Sequence, residues 1–263
     1  LKPCTVQDRE RHFCRAGPGW IDPSQPMGLG PSLQPRVLCL HSHRMSGAIF
    51  REQLYEYSEF GPLLEEVGCE LEFIDAPFRV NPEEVAKIPP EIKMAFEGHD
   101  DHFEWYNKAE DRTEDGGLYY SIAYLEKEMT ERGPFDGIVG FSQGATLAQL
   151  AMVHQARGLA FRDHPALRFM ILISGQLGDP DAHKELFTAP LTVPFPKSLV
   201  IYGGKDDVVP IAKSREFIGA LPGAKTLYLP NQHHAVPRLT LAADAAKVRT
   251  FVEVSLAEED NVA

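Results

Sequence analysis

The stretch GPFDGIVGFSQGATLAQLA, residues 133–151, joins an apolar run to a helical pattern through a single serine, Ser142. Glycines at 140 and 144 place that serine in a G-x-S-x-G arrangement, after a predicted strand and before a predicted helix. In so sharp a turn, glycine removes the Cβ atoms that would collide with the adjoining strand and helix. The pattern therefore predicts that Ser142 projects its hydroxyl above the edge of a sheet as a nucleophile. An ordinary glycine-rich turn is the alternative.

Short apolar runs recur from residue 36 onward, separated by segments in which apolar residues follow a helical period. The runs are RVLCL (36–40), LEFIDAP (71–77), FDGIVGF (135–141), RFMILISG (168–175), SLVIYG (198–203) and KTLYL (225–229). Strands that alternate with helices predict an α/β protein, in which a mostly parallel sheet is covered by helices on both faces.

The same alternation predicts one domain over residues 36–256. Residues 1–35 are rich in proline and glycine, and we interpret them as an irregular or disordered arm. Residues 257–263 are expected to be a C-terminal tail. Residues 78–117 interrupt the alternation with a polar, proline-bearing segment. Long insertions after strands often form lids or substrate walls in α/β enzymes, although a surface loop without function is the alternative.

Composition restricts the classes of partner. The 263-residue chain has a net charge of −12, which disfavours nucleic acid and anionic membrane surfaces as partners. No apolar run reaches the roughly 18 residues of a membrane-spanning helix. The four cysteines are scattered without a C-x-x-C pair, which favours a reducing compartment. We therefore predict a cytoplasmic monomer or homodimer, and leave open organelle targeting by a missing or partial N-terminus.

A serine hydroxyl is a weak nucleophile, so it needs a general base and an acid that orients the base. Downstream of Ser142, LVIYGGKDDVVP offers Asp206 and Asp207, and LYLPNQHHAVP offers His233 and His234. The order Ser, Asp, His is the one expected for a G-x-S-x-G nucleophile. All of these residues follow predicted strands, so they should share the sheet edge at which α/β proteins bind ligands.

Several motifs in this order resemble the FSH-type serine hydrolases, a eukaryotic branch of the α/β-hydrolases. The motifs G-F-S-Q-G, D-D-V-V-P and H-A-V-P carry the resemblance. RVLCLHSHRMSGAIF is similar to that family's opening strand and loop, and FEWYNKAED to its tryptophan-containing insertion. The similarity extends from about residue 36 to residue 237, and it implies an α/β-hydrolase fold and a serine hydrolase.

The resemblance also chooses between neighbouring candidates. It selects Asp206 as the acid, because that family's acid stands four residues before the proline of this loop. It selects His234 as the base. Asp207 would then cap the helix expected at Pro210, and His233 stands where that family has glycine.

Two backbone N–H groups are expected to form the oxyanion hole. Gln143, directly after the nucleophile, supplies one of them. By resemblance, His43 supplies the other through its backbone alone. Ser42 stands where that family has glycine, which predicts either a strained positive φ at Ser42 or a shifted turn.

Four apolar residues are predicted to line an acyl pocket near this edge: Phe78, Trp105, Tyr106 and Leu177. Packing into the core is the alternative for each of them. The histidines of CLHSH and HDDH lack the ligand spacing of a metal site. No G-x-G-x-x-G follows the first strand. We therefore expect neither a metal nor a cofactor.

The predicted function is hydrolysis of carboxylic esters of small to long acyl chains, through a Ser-His-Asp triad and an acyl-enzyme. An acyl or polyketide thioesterase is an alternative, because nothing in the sequence separates oxygen from sulfur leaving groups. A non-catalytic binding protein with a hydrolase fold is a second alternative. The expected partner is a small-molecule ester or thioester.

Overall fold

The computed structural model describes residues 34–107, 116–178 and 190–257. Most of the predicted arm (1–33), most of the predicted tail (258–263) and part of the predicted insertion (108–115) lie outside the described residues. The strands are β1 (Arg36–Leu40), β2 (Glu70–Ile74), β3 (Phe78–Arg79), β4 (Phe103–Glu104), β5 (Gly137–Phe141), β6 (Phe169–Ile173), β7 (Lys197–Gly203) and β8 (Lys225–Leu229). The helices are α1 (Gly47–Tyr55), α2 (Phe60–Glu66), α3 (Pro82–Ala86), α4 (Pro90–Ala95), α5 (Leu118–Arg132), α6 (Gln143–Ala156), α7 (Ile211–Gly219) and α8 (Ala242–Ala257).

The main sheet has the strand order β2–β1–β5–β6–β7–β8, and every neighbouring pair is parallel. Each apolar run that was predicted to be a strand overlaps one of these strands, although β2 and β7 each begin one residue before the predicted run. The chain moves outward in one direction from β1 to β2, and then in the other direction from β5 to β8. Strand order therefore reverses between β1 and β5, which opens a crevice at their carboxyl ends.

Both faces of the sheet are buried. Along β1, Leu38 and Leu40 belong to a core cluster that includes residues of α5, α6 and α7. Val37 and Cys39 belong to a second cluster with residues of α1, α2 and α8. Because successive side chains of a strand point to opposite faces, a sheet buried on both faces has continuously apolar strands. The prediction of a mostly parallel sheet covered on both faces is confirmed.

The insertion contains more regular structure than its sequence suggested. β3 and β4 form a two-stranded antiparallel sheet, with Phe78 opposite Glu104. Between them, α3 begins at an ordinary local signal: the side chain of Asn81 accepts a 2.9 Å hydrogen bond from the N–H of Glu84, and Pro82 occupies the first turn. The sequence did not predict α3 and α4, because helices of 5 and 6 residues without buried side chains are too short to show a helical apolar pattern.

Among the residues that the structure describes, no helix combines the length and apolar character that a membrane crossing requires. Cys39 and Cys69 are buried free thiols, and the burial of each raises its thiol pKa. Cys4 and Cys14 lie outside the described residues.

Candidate active site

Ser142 occupies the turn between β5 and α6 with φ 54° and ψ −113°. A positive φ is rare for a residue with a side chain, and such strain persists only where the surroundings enforce it. Here the N–H of Ser142 donates to the carbonyl of Ile173 in β6 (2.8 Å), and its own carbonyl accepts from the N–H of Thr146 (3.1 Å). The turn is therefore fixed to both the sheet and the helix.

The two glycines of the motif are required by close packing. A Cβ on Gly144 would lie 2.3 Å from the carbonyl oxygen of Leu40, and a Cβ on Gly140 would lie 2.8 Å from the Cα of Ala145. Both distances are shorter than any normal contact with a Cβ atom. The motif thus brings the start of α6 directly against the end of β1.

His234 lies between Ser142 and Asp206. Its Nε2 lies 3.0 Å from the hydroxyl oxygen of Ser142. Its Nδ1 lies 3.0 Å and 2.9 Å from the two carboxylate oxygens of Asp206. Since a carboxylate only accepts, Nδ1–H is the donor, which leaves Nε2 free to accept the serine proton. The side chain of Asp206 is 1% exposed and that of His234 is 17% exposed.

Other contacts hold this acid and this base in place. One oxygen of Asp206 accepts the backbone N–H groups of Val208 (3.1 Å) and Val209 (2.7 Å). The ring of Phe141 lies beside the imidazole of His234, with 5.2 Å between centroids. The rotamers of both side chains are therefore restricted before any substrate binds.

The neighbours of the acid and the base are placed differently. Asp207 and His233 are exposed. Helix α7 begins after Pro210 without any side-chain cap, so the expected capping of this helix by Asp207 is wrong. The helix tolerates this start because proline pre-sets its own φ.

Gln143 is the first residue of α6, so its backbone N–H has no carbonyl partner within the helix and lies at the positive end of the helix dipole. His43 lies in the turn that follows β1, across the crevice from α6. The left-handed residue of this turn is Arg44 (φ 58°), and Ser42 has no positive φ. Of the two outcomes expected at Ser42, the structure shows the shifted turn. Serine is accommodated without strain because the sharp bend lies two residues later.

His41 is buried beneath this turn, and the sequence analysis gave it no role. Its Nε2 accepts the N–H of Ala76 (3.0 Å), so its Nδ1–H donates to the carbonyl of Ser42 (2.7 Å). Burial lowers the pKa of His41 to about 4. A neutral imidazole with a fixed tautomer therefore supports the backbone of the turn.

The imidazole of His43, for which no role was expected, lies 2.7 Å from a carboxylate oxygen of Glu104 in β4. The Glu104 side chain is fully buried, and it also accepts hydrogen bonds from the side-chain amide of Asn107. The side chain of Gln143 likewise reaches the insertion: its Oε1 accepts the N–H of Trp105 (2.8 Å), and its Nε2 donates to the carbonyl of Tyr106 (2.6 Å). The contacts of His43 and Gln143 with the insertion join residues at least 37 positions apart in the chain, so no local sequence pattern predicts them.

The residues predicted to line the acyl pocket are placed as follows. Trp105 is fully buried, and its indole N–H donates to the carbonyl of His41 (2.9 Å). Tyr106 and Leu177 are partly buried against the cluster that includes α6. Phe78 is half-buried in β3, beside the ring of Tyr120. Whether these side chains contact a substrate stays a prediction.

Within residues 34–107, 116–178 and 190–257, no group of three His, Cys, Asp or Glu side chains is arranged to hold a metal ion. The histidines of the CLHSH and HDDH segments have other partners. The rings of His41 and His43 bond as described above, His99 contacts the carboxylate of Glu52, and Nδ1 of His102 donates to the carbonyl of Arg44.

A model of the FSH1 serine hydrolases matches residues 32–246 of this chain. The chain belongs to the FSH1 serine hydrolase family. Esterase OVCA2 of Danio rerio is 31% identical over 210 residues, which cover 75% of this chain and 88% of that protein. A dihydrofolate reductase of Schizosaccharomyces pombe is 27% identical over 202 residues, or 75% of this chain. This chain spans only 43% of the length of that protein, so the reductase name describes the longer protein.

Among solved structures, Zea mays acyl-protein thioesterase 2 resembles this FSH1-family chain with a TM-score of 0.57 and 18% identity, covering 85% of this chain and 94% of that one. The likeness shows a shared α/β-hydrolase fold. The fold and the family that the sequence motifs implied are both confirmed. The protein is a serine hydrolase.

Proposed function

We propose that this FSH1-family hydrolase cleaves carboxylic esters with Ser142 as nucleophile, His234 as general base and Asp206 as the acid that orients the base. The observation that carries the proposal is the continuous line of hydrogen bonds across the three side chains. The serine hydroxyl lies 3.0 Å from Nε2 of His234, and Nδ1 lies 2.9 Å from the carboxylate of Asp206. Hydrolysis by a serine nucleophile requires these contacts, since the base must reach the serine hydroxyl while the acid fixes the tautomer of the base.

Acylation would begin when Ser142 attacks the ester carbonyl carbon. As the bond from Oγ to carbon forms, the hydroxyl proton passes to Nε2 of His234, and the carbonyl electrons move onto the oxygen. Asp206 stabilises the resulting imidazolium without itself becoming protonated. The tetrahedral intermediate then expels the alcohol, which takes the proton from Nε2, and an acyl-enzyme remains.

The negative oxygen of the intermediate would be held by the backbone N–H groups of Gln143 and His43. Gln143 contributes the first N–H of α6, where the helix dipole favours negative charge. His43 contributes its N–H from the opposite side of the crevice. Each well-placed donor of this kind is worth about 3 kcal/mol of transition-state stabilisation.

Deacylation would repeat the sequence with water in place of the alcohol. Nε2 of His234 removes a proton from the water, whose oxygen attacks the acyl carbon. The intermediate then collapses, and the proton returns from Nε2 to Oγ of Ser142. The carboxylic acid leaves, and the enzyme is restored.

We infer that the acyl group, from small to long, lies against Phe78, Tyr106 and Leu177, with Trp105 behind them. Support comes from the apolar character of all four residues. Tyr106, Leu177 and Trp105 also pack with the core cluster that includes residues of α6, the helix that carries the nucleophile at its start. The phenol of Tyr106 is uncharged at neutral pH, as an ordinary tyrosine is, and burial raises its pKa further, to about 12. A wall of this kind favours esters over charged substrates.

A thioester is the second candidate substrate, because the same residues would attack a thioester carbonyl. The Zea mays protein with the same fold is named an acyl-protein thioesterase. The difference between the two reactions lies in the leaving group, and the experiment below compares both leaving groups at equal acyl length.

The experiment measures kcat/KM for p-nitrophenyl acetate, butyrate, octanoate and palmitate, and for acyl-CoA thioesters with the same acyl groups. We expect ester turnover to exceed thioester turnover at each length, with a burst of p-nitrophenol equal to the enzyme concentration as the acyl-enzyme accumulates. Ser142→Ala is the control, and it should remove both the burst and the turnover. Light scattering on the same preparation tests the expectation of a monomer or homodimer.

Two results would change the proposal. Faster turnover of thioesters at every acyl length would make the protein a thioesterase that uses the same residues. A folded protein that turns over neither class, and binds the uncleaved ester instead, would support the hydrolase-fold binding protein and refute the proposed chemistry.

A further inference from the structure

The crevice is crossed by a short segment of the insertion, residues 102–106, which we name the strap. The strap runs beside the turn that contains His43. The N–H of Phe103 donates to the carbonyl of Met45 (2.7 Å), and these two residues form an isolated antiparallel bridge. One residue earlier, Nδ1 of His102 donates to the carbonyl of Arg44 (3.0 Å). The strap therefore fixes the end of this turn through two backbone carbonyls.

Side chains of the strap fix the beginning of the same turn. The indole N–H of Trp105 donates to the carbonyl of His41 (2.9 Å), whose ring lies 5.2 Å from the indole. The carboxylate of Glu104 receives the imidazole N–H of His43 (2.7 Å). With the bonds to Arg44 and Met45, the strap contacts the turn on both sides of the His43 N–H.

The other side of the crevice is held by Gln143. Its side-chain amide makes two hydrogen bonds to the backbone at the C-terminal end of the strap, accepting from the N–H of Trp105 (2.8 Å) and donating to the carbonyl of Tyr106 (2.6 Å). The backbone N–H of the same residue is the first proposed oxyanion donor. The hydroxyl of Ser121 in α5 also donates to the carbonyl of Trp105, which anchors the strap from behind.

We propose that the strap is a positioning element that sets the separation of the two oxyanion donors. Trp105 acts on the His43 side, and the side chain of Gln143 acts on the α6 side. This inference rests on the proposed function, because it assigns the two donors their roles. The strap can set the separation of the two donors without any of its side chains contacting the substrate.

Oxyanion stabilisation depends steeply on this kind of placement. A donor contributes only when it lies within hydrogen-bonding distance of the oxygen in the transition state, and displacements of about 1 Å can cost about 100-fold in rate. The two proposed donors lie on separate elements, His43 in the turn after β1 and Gln143 at the start of α6. A segment bonded to both elements therefore fixes a distance that neither element fixes alone.

Core packing does not account for the chemistry of these side chains. Phenylalanine would fill much of the space of Trp105 but would lack the N–H that reaches His41. Glu104 has a fully buried carboxylate, which is costly in a core unless it is paired. Its partners include the side-chain amide of Asn107 and the imidazole of His43, the proposed donor residue itself.

Two variants test the proposal, and Gln143→Met is nearly isosteric. Trp105→Phe removes the bond to His41, and Gln143→Met removes both side-chain bonds to the strap while keeping the backbone N–H at position 143. The matched control is Tyr57→Phe, which removes a 2.6 Å hydrogen bond from the Tyr57 hydroxyl to the carbonyl of Ala95, elsewhere in the insertion. Circular dichroism and melting temperature establish that each variant folds.

The decisive readout separates the transition state from the ground state. A trifluoromethyl ketone adds to the serine and places an oxyanion in the hole, whereas the matching methyl ketone measures ground-state binding. We expect each strap variant to lose about 10- to 100-fold in kcat, with KM little changed. The inhibition constant of the trifluoromethyl ketone should rise by the same factor, while that of the methyl ketone stays constant. The control should remain within about two-fold on every measure.

Folded strap variants with wild-type kcat and wild-type trifluoromethyl ketone inhibition would overturn the positioning role and leave the proposed function intact. A loss of kcat without weaker trifluoromethyl ketone binding would also overturn it, since the hole would be unaffected. If Trp105→Phe does not fold, Gln143→Met alone decides. A wild-type protein without turnover would refute the proposed function, and the inference with it.

Discussion

Nδ1 of His234 lies between both oxygens of Asp206, at 3.0 Å and 2.9 Å, and the carboxylate is almost completely shielded from solvent. The carboxylate thereby holds the imidazole with its other nitrogen towards the serine. Replacing Asp206 with asparagine keeps the size of the side chain but offers an amide that can stabilise the wrong tautomer. We predict a fall in kcat of about 10⁴-fold for Asp206→Asn, measured with p-nitrophenyl butyrate.

The adjacent residue supplies the control for this variant. Asp207 is exposed, so Asp207→Asn should stay within about two-fold of the wild-type kcat. Equal losses in the two variants would mean that the orienting acid has been misassigned.

The sequence predicted the sheet well because the central strands β1, β5, β6 and β7 are almost wholly buried and therefore form apolar runs, whereas the edge strands β2 and β8 are partly exposed. It also predicted the serine turn, since the glycines of G-x-S-x-G are what a sharp turn between a strand and a helix requires locally. The choice of Asp206 and His234 over their neighbours needed the family resemblance, because periodicity cannot show which of two adjacent residues faces inward.

The sequence did not predict contacts between residues that lie far apart in the chain. Glu104 lies 61 residues from His43 and Gln143 lies 38 residues from Trp105, so no local pattern pairs them. Nothing around Ser42 indicates that the bend of its turn falls at Arg44. The sequence predicted Trp105 only as an apolar pocket residue, and the hydrogen bond from its indole N–H to the carbonyl of His41 is visible only in the structure.

Gly144 marks the closest approach of α6 to the end of β1. Because its substituted Cβ would lie 2.3 Å from the Leu40 carbonyl oxygen, Gly144→Ala must displace the helix. We expect it to lower the free energy of unfolding by about 3 kcal/mol, measured by urea denaturation, and to lower kcat as well. Gly219, the last residue of α7, has nothing within 4 Å of the equivalent position. Gly219→Ala should instead stabilise the protein by about 0.5–1 kcal/mol. A Gly144→Ala protein as stable as Gly219→Ala would contradict the packing argument.

His41 should make stability depend on pH. Its folded-state pKa of about 4 lies below the unfolded value of about 6.5. Above pH 6.5 both states hold the neutral imidazole, and the group has no effect. As the pH falls from 6.5 towards 4, only the unfolded state takes up the proton, so the folded state loses stability, by about 2–3 kcal/mol at pH 4.5.

The corresponding measurement is urea denaturation of wild type and His41→Gln at pH 7.5 and pH 4.5. Other titrating groups, including the buried His164, whose pKa burial also lowers, are common to both proteins and cancel in the comparison. We expect the wild type to lose about 2–3 kcal/mol more than the variant between the two pH values. Parallel losses in the two proteins would show that His41 does not titrate in this way.

A fluorophosphonate probe reports whether His234 and Asp206 activate Ser142 as a nucleophile. In that reaction the serine oxygen bonds to phosphorus, fluoride leaves, and His234 takes the proton. Intact-mass spectrometry of the folded wild type should show one probe per chain, which peptide mapping places on Ser142, whereas Ser142→Ala should remain unlabelled and His234→Ala should label far more slowly. A folded wild type that stays unlabelled, or a Ser142→Ala protein that still carries the probe, would contradict the account.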